Sequence, residues 1–258
     1  QVSISQFYGI EINDFAVTVA KTALWIAESQ MMKETEDVVR MSLDFLPLKT
    51  NAHIVEGNAL QMDWEDVVSK TQLNYIMGNP PFIGYTYQST EQKADLQNTM
   101  AGIGKNIDYV SGWYFKAAQL MQSTAIRTAF VSTNSITQGE QVAGVWKPMF
   151  ERLGIHIDFA HRTFRWDSEA NLKAHVHCVI VGFSVQMNPA EKLLFTSKQV
   201  QHVQNISPYL IDAPTLFIES RNKPLCNVPE ICKGSQPTDG GNLIVTEEDY
   251  DGFMKQAP

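Results

Sequence analysis

Cysteine is scarce in the sequence, which contains only Cys178, Cys226 and Cys232 among its 258 residues. Three thiols cannot form the disulfide framework of a small secreted domain. The last two are separated by five residues and have no histidine pair nearby, so their spacing favours a structural role over a zinc site. Cys178 stands in an apolar run and is predicted to lie in the core. We therefore predict no metal site.

Long apolar runs are also missing. No segment approaches the ~18 consecutive apolar residues that a membrane helix requires, and the N-terminus lacks the basic-then-apolar order of a signal peptide. These absences predict a cytoplasmic protein without a membrane-spanning segment.

Positive charge is in deficit, because 20 Lys and Arg residues stand against 28 Asp and Glu residues and the formal net charge is −8. A polyanion-binding surface that extends over the whole chain is excluded, since phosphate contacts come from clustered Lys and Arg. Any contact with nucleic acid must be local or must belong to residues outside this chain.

Short β-branched or aromatic runs alternate with segments of helical period, which predicts an α/β fold with a largely parallel sheet and flanking helices. Predicted strands cover residues 6–11, 52–56, 74–78, 127–133, 155–162 and 174–183. Predicted helices run from Asn13 or Asp14 to about Met32, over 111–123, and over 139–153, where Pro148 is expected to kink or interrupt the helix.

Two further segments have a different texture. Residues 80–110 separate a predicted strand from its next helix by more than an ordinary loop, and such segments are typically functional or mobile. From about residue 188 prolines and glycines become frequent, which predicts an irregular extension. The predicted organisation is a catalytic domain over 1–187 and, over 188–258, an extension that leads toward a further domain.

Polar residues follow the first two predicted strands, at the sheet edge where α/β proteins bind ligands. The carboxylate of Glu11 suits the two hydroxyls of a ribose, but it equally suits the start of the following helix. Asn58, in the stretch VEGNAL, carries an amide that is able to pair with a purine edge, yet Gly-Asn is also an ordinary turn pair, and taken alone the turn is favoured.

The third predicted strand ends in GNPPF, residues 78–82. Pro80 and Pro81 fix the backbone, so the Asn79 side chain and the Pro80 carbonyl present two acceptors in a rigid arrangement. An exocyclic amino group has two N–H donors that such acceptors hold, and Phe82 follows where it is placed to stack on the ring that bears the amine. The pattern indicates a site that binds an aromatic or amide amine.

This stretch resembles the Asn-Pro-Pro-(Tyr/Phe) motif of S-adenosylmethionine-dependent amino methyltransferases, in particular the DNA adenine-N6 methyltransferases of restriction-modification systems. FYGIEIN and VEGNAL are similar to that family's second-strand and third-strand motifs. DYVSGWYFKAAQLM with RTAFVSTNSI resembles the helix and strand after the catalytic loop, and AHRTFRWDSEANLKAHVHCVIVGF resembles the late motif near the target base. The resemblance covers roughly residues 6–185.

The resemblance implies a Rossmann-like class I methyltransferase sheet and S-adenosylmethionine as cofactor. It places Glu11 at the cofactor ribose and Ile12 beside its adenine, with Asn58 and Ala59 next to them. It implies double-stranded DNA with a flipped adenine as partner, and a restriction or specificity domain in the same full-length polypeptide. The residues that it assigns to catalysis are Asn79, Pro80, Pro81 and Phe82, and those at the target-base pocket are Phe164 and Trp166.

The chain departs from the family pattern at two places. An acidic residue is usual where Asn58 stands. The glycine-rich loop that wraps the methionine moiety should precede the strand ending at Glu11, and no residue before that strand fits it. The expectation is a fragment that lacks the first strand of the sheet, stops near the beginning of a target-recognition domain and is inactive alone.

Two other functions are compatible with the residues. Similar Asn-Pro-Pro motifs occur in enzymes that methylate a protein glutamine or an RNA base, because these nitrogens also carry two donors. A non-catalytic subunit that retains the fold is the alternative from a different class, and the absent cofactor loop is the feature that favours it. The long segment after Phe82 and the Pro/Gly-rich extension favour DNA as the substrate.

Overall fold

The computed structural model describes residues 3–40, 52–103, 106–166, 176–187, 191–221, 223–224, 226–229 and 244–256. The strands are β1 (Tyr8–Glu11), β2 (His53–Glu56), β3 (Tyr75–Gly78), β4 (Arg127–Thr133), β5 (His156–Trp166), β6 (Val176–Ser184), β7 (Lys192–Phe195) and β8 (Val200–Val203). The helices are α1 (Asp14–Val39), α2 (Thr90–Thr99), α3 (Ser111–Leu120), α4 (Gly139–Leu153) and α5 (Glu247–Gln256). The predicted α/β class, with helices flanking the sheet, is confirmed.

The strands form two sheets. β1 and β2 pair in parallel as a two-stranded sheet, and the remaining strands form a six-stranded sheet in the order β3-β4-β6-β5-β7-β8. Within the larger sheet β3 is parallel to β4 and β5 is parallel to β7, whereas β6 is antiparallel to both of its neighbours and β8 is antiparallel to β7.

The prediction of a largely parallel sheet is therefore wrong for the larger sheet, which is mixed. The sheet is mixed because of the connection between β5 and β6. This connection spans residues 167–175 and is too short for the crossover that parallel neighbours need. Two neighbouring strands joined in this way pair antiparallel.

Helices α3 and α4 provide much of the core against the six-stranded sheet. Tyr114 of α3 is fully buried, donates to or accepts from Ser132 Oγ at 2.9 Å, and stacks on Phe183 with ring centroids 5.4 Å apart. Pro148 lies inside α4 and does not end it. The predicted bounds of α4 and β4 are the observed ones.

Helix α1 is longer than predicted and begins with an N-cap in which the Asn13 side chain accepts from Ala16 N at 3.0 Å. Phe15, Val19 and Ile26, which together with Thr22 recur at three- and four-residue spacing along α1, are exposed, and Val17 is its buried residue. These apolar side chains are thus uncovered in the described part of the chain.

The segment after residue 188 is less irregular than predicted, because β7 and β8 extend the six-stranded sheet. By its internal contacts the chain divides into a unit over Gln1–Glu219 and a second unit over Ser220–Pro258, which contains α5. The division into functional domains at residues 187 and 188 stays a prediction.

The remaining expectations concern cysteines and membranes. Cys178 is buried and Cys226 is exposed, both as free thiols, and Cys232 lies outside the described residues. None of the helices in the described ranges combines the length and the apolar character that crossing a membrane demands.

Candidate functional site

The carboxyl ends of β3, β4 and β5 lie at the same edge of the six-stranded sheet. β3 runs parallel to β4, and β6 joins β4 to β5 by antiparallel pairing that aligns Thr133 with Cys178 and Cys178 with Phe164. Asn79 directly follows β3, and Trp166 is the last residue of β5. The fold therefore brings the predicted catalytic and target-pocket residues to one edge.

The turn after β3 presents polar groups outward on a buried support. Asn79 is exposed and its amide makes no hydrogen bond with the described residues, whereas Pro80 is buried and Phe82 is half-buried. One residue later, Ile83 packs against the core and its carbonyl accepts from Tyr109 N at 2.9 Å. The Asn79 acceptor is thus held on an anchored turn and remains available to a ligand.

Asp108 holds the segment that follows this turn. Its Oδ1 accepts from Tyr85 N at 3.2 Å and its Oδ2 accepts from Ser135 Oγ at 2.5 Å. Gln141 of α4 donates to Oδ1 at 3.3 Å, and its own Oε1 accepts from Asp108 N at 3.1 Å. Nearby, Gln88 donates to the Ile107 carbonyl at 2.9 Å. Together with α2, these contacts hold residues 80–103 and 106–110 in place, so the described part of this segment is not simply a long loop.

Asp108→Ala should destabilise the chain by about 1–3 kcal/mol, because it removes the acceptor of three partly buried hydrogen bonds. Urea unfolding followed by tryptophan fluorescence measures this change. Asp66→Ala is the matched control: Asp66 is exposed, and a surface substitution of this kind changes stability by less than about 0.5 kcal/mol. Equal midpoints for the two variants would contradict the assigned role of Asp108.

Glu11 and Ile12 close the first strand at the edge of the smaller sheet. Glu11 Oε1 accepts from Asn13 N at 3.1 Å, and the Glu11 backbone carbonyl accepts from Gly57 N at 2.9 Å. Oε2 makes no hydrogen bond with the described residues, and Ile12 is 68% exposed. The sequence left open whether Glu11 supports the start of α1 or binds a ligand. The two roles are compatible, because Oε1 accepts from Asn13 N and Oε2 is available to a ligand.

Asn58 begins a tight turn after β2, as the Gly-Asn pair suggested. Its Oδ1 accepts from Leu60 N at 2.9 Å, and its backbone carbonyl accepts from Gln61 N and Met62 N. Its Nδ2 donates to Asp95 Oδ2 at 2.9 Å. The predicted neighbour Ala59 is half-buried, and its carbonyl accepts from Trp64 Nε1 at 2.8 Å.

Lys116 connects this turn to α3 through hydrogen bonds. Its Nζ donates to the carbonyls of Leu60 and Met62 and lies 5.9 Å from the centre of the Trp64 ring. Burial lowers the pKa of Lys116 below its ordinary value, and the charge of Asp63 opposes that shift. The turn after β2 is therefore held by the same helices that follow the Asn79 turn.

Phe164 and Trp166 stand at the end of β5 beside other aromatic rings. The His161 ring meets Phe164 edge-on with centroids 4.8 Å apart, and Trp166 is 46% exposed. β4 and β6 lie between β3 and β5, which separates Phe164 from the β3 end by about 14 Å at the usual strand spacing. A ligand that contacts both Asn79 and Phe164 would have to span this distance. The assignment of Phe164 or Trp166 to the target base stays a prediction.

Sequence reasoning missed the residues that hold the site in place, Asp95, Asp108, Tyr109 and Lys116. The stretch IDYVSGW gives a weak indication of Asp108 and Tyr109. A carboxylate that directly precedes an apolar helix is expected to be buried and therefore to accept hydrogen bonds from neighbouring residues. Asp95 stands in the polar run EQKADLQNT and carries none. Among the described residues no group of three or more His, Cys, Asp or Glu side chains is arranged to hold a metal ion.

Residues 1–196 match the family described as MmeI, DNA-methyltransferase domain, and residues 212–258 match the MmeI target recognition domain. The chain belongs to the MmeI DNA-methyltransferase family. This family is of the restriction-modification type, so the predicted membership in the DNA methyltransferases is confirmed at this level. Residues 188–196, predicted to lie in the extension, fall within the match to the methyltransferase domain.

Two relatives show how far the similarity extends. DNA methyltransferase A of Bacillus subtilis (strain 168) is 40% identical over 262 residues, which cover 100% of this chain and 30% of that protein. The solved structure of the Type IIL restriction-modification enzyme MmeI in complex with DNA superposes with a TM-score of 0.91 at 40% identity, over 99% of this chain and 35% of that chain. The chain spans about a third of the length of these relatives.

Proposed function

We propose that this MmeI-type domain transfers a methyl group from S-adenosylmethionine to N6 of an adenine that is flipped out of double-stranded DNA. The observation that carries the proposal is the exposed Asn79 amide on an anchored proline turn at the ligand-binding edge of the sheet. The membership in a DNA methyltransferase family supports it, because the turn offers the acceptors that an amino group requires.

The cofactor residues are proposed to be Glu11, Ile12, Asn58 and Ala59. The free Oε2 of Glu11 suits a ribose hydroxyl, and the exposed Ile12 side chain suits the face of a purine. S-adenosylmethionine, when bound, supplies a methyl group on a positively charged sulfur. In this arrangement the two turns after β1 and β2 hold the nucleoside part of the cofactor.

The Asn79 side chain and the Pro80 carbonyl bind and orient the amine. The lone pair of adenine N6 is delocalised into the ring, so two acceptors that hold its N–H donors make the nitrogen more pyramidal and direct the lone pair away from them. The same acceptors would stabilise the positive charge that develops on nitrogen when it takes the methyl group that the cofactor supplies. The surplus proton leaves N6 for solvent.

Base flipping is part of the proposal, because N6 of an adenine that is paired and stacked inside a duplex cannot be held by Asn79 and Pro80. Half-buried Phe82 is proposed to stack on the extruded adenine, and Phe164 or Trp166 is proposed to face it from the β5 end. Aromatic stacking contributes about 1–3 kcal/mol per base, which offsets the few kcal/mol of unstacking.

The proposed sheet is that of the Rossmann-like class I methyltransferases, completed by one further strand between β1 and β3. Its support is that β1 and β3 each pair on one side only within the described residues. The face of β3 that carries Tyr75 and Met77 is exposed, although strands of this kind are normally covered on both faces.

The test is to incubate the full-length protein with plasmid DNA and methyl-deuterated S-adenosylmethionine and to analyse the nucleosides by mass spectrometry. We expect deuterated N6-methyladenine. Parallel reactions with RNA and with glutamine-containing peptides should remain unlabelled. Label in N4-methylcytosine, RNA or peptide would contradict the proposed substrate, and no label in any of them would favour a non-catalytic subunit.

A further inference from the structure

Asp95 of α2 joins the turn after β2 to the segment that follows Phe82. Its Oδ2 accepts from Asn58 Nδ2 at 2.9 Å and from Tyr109 OH at 3.2 Å, and its Oδ1 accepts from Gln61 Nε2 at 2.8 Å. Three donors from two different segments therefore converge on one half-buried carboxylate.

The contacts of Asn58 determine which way its amide points. An ionised carboxylate only accepts, so Nδ2 must face Asp95, and the Leu60 backbone N–H only donates, so Oδ1 must face Leu60. Both partners agree on the same orientation. The Asn58 amide has one further N–H, which lies beside the Tyr109 hydroxyl, and one further lone pair, and these are the groups that can face a ligand.

We propose that Asp95 is a positioning residue that fixes the Asn58 amide in the orientation that recognises an adenine edge. Adenine presents a ring-nitrogen acceptor beside an amino donor, and the remaining N–H and lone pair of Asn58 complement that pair. A hypoxanthine edge presents the reverse order. The inference rests on the proposed function, in which Asn58 contacts the cofactor purine.

The surroundings of Asp95 keep its carboxylate in place as an acceptor. Burial first, and then the charge of Asp95 and the hydrogen bond to it, raise the pKa of Tyr109 to about 12, so the phenol stays a donor at neutral pH. Tyr109 donates to Oδ2, the same oxygen that accepts from Asn58, so the oxygen that faces Asn58 is held in place without Gln61, which donates to Oδ1.

The test compares the binding of S-adenosylhomocysteine and S-inosylhomocysteine to the full-length protein by calorimetry. In the Asp95→Asn variant, residue 95 offers a donor as well as an acceptor, so the acceptor that faces Asn58 Nδ2 is no longer fixed and only the Leu60 N–H still restricts the Asn58 amide. We expect the dissociation constant for S-adenosylhomocysteine to rise roughly tenfold, the size of one hydrogen bond to a charged group, and the preference over the inosyl analogue to fall.

Two variants separate positioning from a general structural role. Asn58→Ala should abolish the effect of Asp95→Asn in the double variant, because the amide through which Asp95 acts is gone. Gln61→Ala removes another donor to the same carboxylate without touching Asn58, and it should leave the preference for the adenosyl ligand unchanged.

The outcomes are distinguishable. Unchanged preference in Asp95→Asn, an additive double variant, or an equal loss in Gln61→Ala would overturn the positioning role of Asp95. If Asn58→Ala alone leaves the affinity for S-adenosylhomocysteine unchanged, the proposed contact of Asn58 with the cofactor is wrong, and the inference fails with it. Weak binding of both ligands by the unmodified protein would instead contradict the proposed cofactor.

Discussion

Asn79→Ala in the full-length protein is expected to lower the rate of methyl transfer by roughly 10²-fold or more, the size of one lost transition-state contact. The substitution removes one of the two acceptors for the amine and leaves the proline turn on its buried support. Asn79 is exposed and makes no side-chain hydrogen bond with the described residues, so its loss should change neither folding nor the path of the chain. DNA affinity should also change little.

Single-turnover methylation with pre-bound DNA measures the chemical step directly. Asn79→Asp is the matched control, since it keeps an acceptor oxygen at the same position and should retain more activity than the alanine variant. A near-normal single-turnover rate for Asn79→Ala would remove the central claim of the proposed mechanism. If Asn79→Ala lowered DNA affinity as much as it lowered the methylation rate, Asn79 would be assigned to DNA binding and not to the chemical step.

Residues 1–258 on their own are expected to bind S-adenosylmethionine no more tightly than about 1 mM, whereas the full-length protein is expected to bind in the micromolar range. In the proposed arrangement Glu11 and Asn58 hold the nucleoside part, and the glycine-rich loop that the family uses for the methionine moiety has no counterpart in the sequence before β1. β1 and β3 each have one unpaired side within the described residues, and Met77 on β3 is 76% exposed. The proposed additional strand would pair with both and carry the missing contacts.

Calorimetric titration of the two proteins side by side tests this expectation. Circular dichroism and a cooperative thermal transition must first show that residues 1–258 are folded, so that weak binding is not the result of unfolding. A micromolar dissociation constant for residues 1–258 would show that the methionine moiety is held by residues within this chain. The strand proposed between β1 and β3 would then be unnecessary for cofactor binding.

Local sequence patterns by themselves determined most helices and strands of this protein. The apolar repeat of GEQVAGVWKPMFERL predicted α4 to the residue despite Pro148, and the β-branched run RTAFVST predicted β4. The strand-turn of GNPPF predicted an exposed amide at a strand end, which is where Asn79 lies. These features depend on neighbours within a few positions along the chain, so periodicity, capping and proline geometry are sufficient to predict them.

Only the tertiary structure decided how the strands pair and what holds the site. The antiparallel insertion of β6 between β4 and β5, and the addition of β7 and β8, depend on contacts between distant segments that periodicity does not encode. Phe15 and Val19 recur at helical spacing but are exposed. Helical spacing of apolar residues shows that a helix has an apolar face, but it does not show which element covers that face. Asp95 and Asp108 draw their roles from donors 14 to 37 positions away, so their importance appears only when the folded chain brings those donors together.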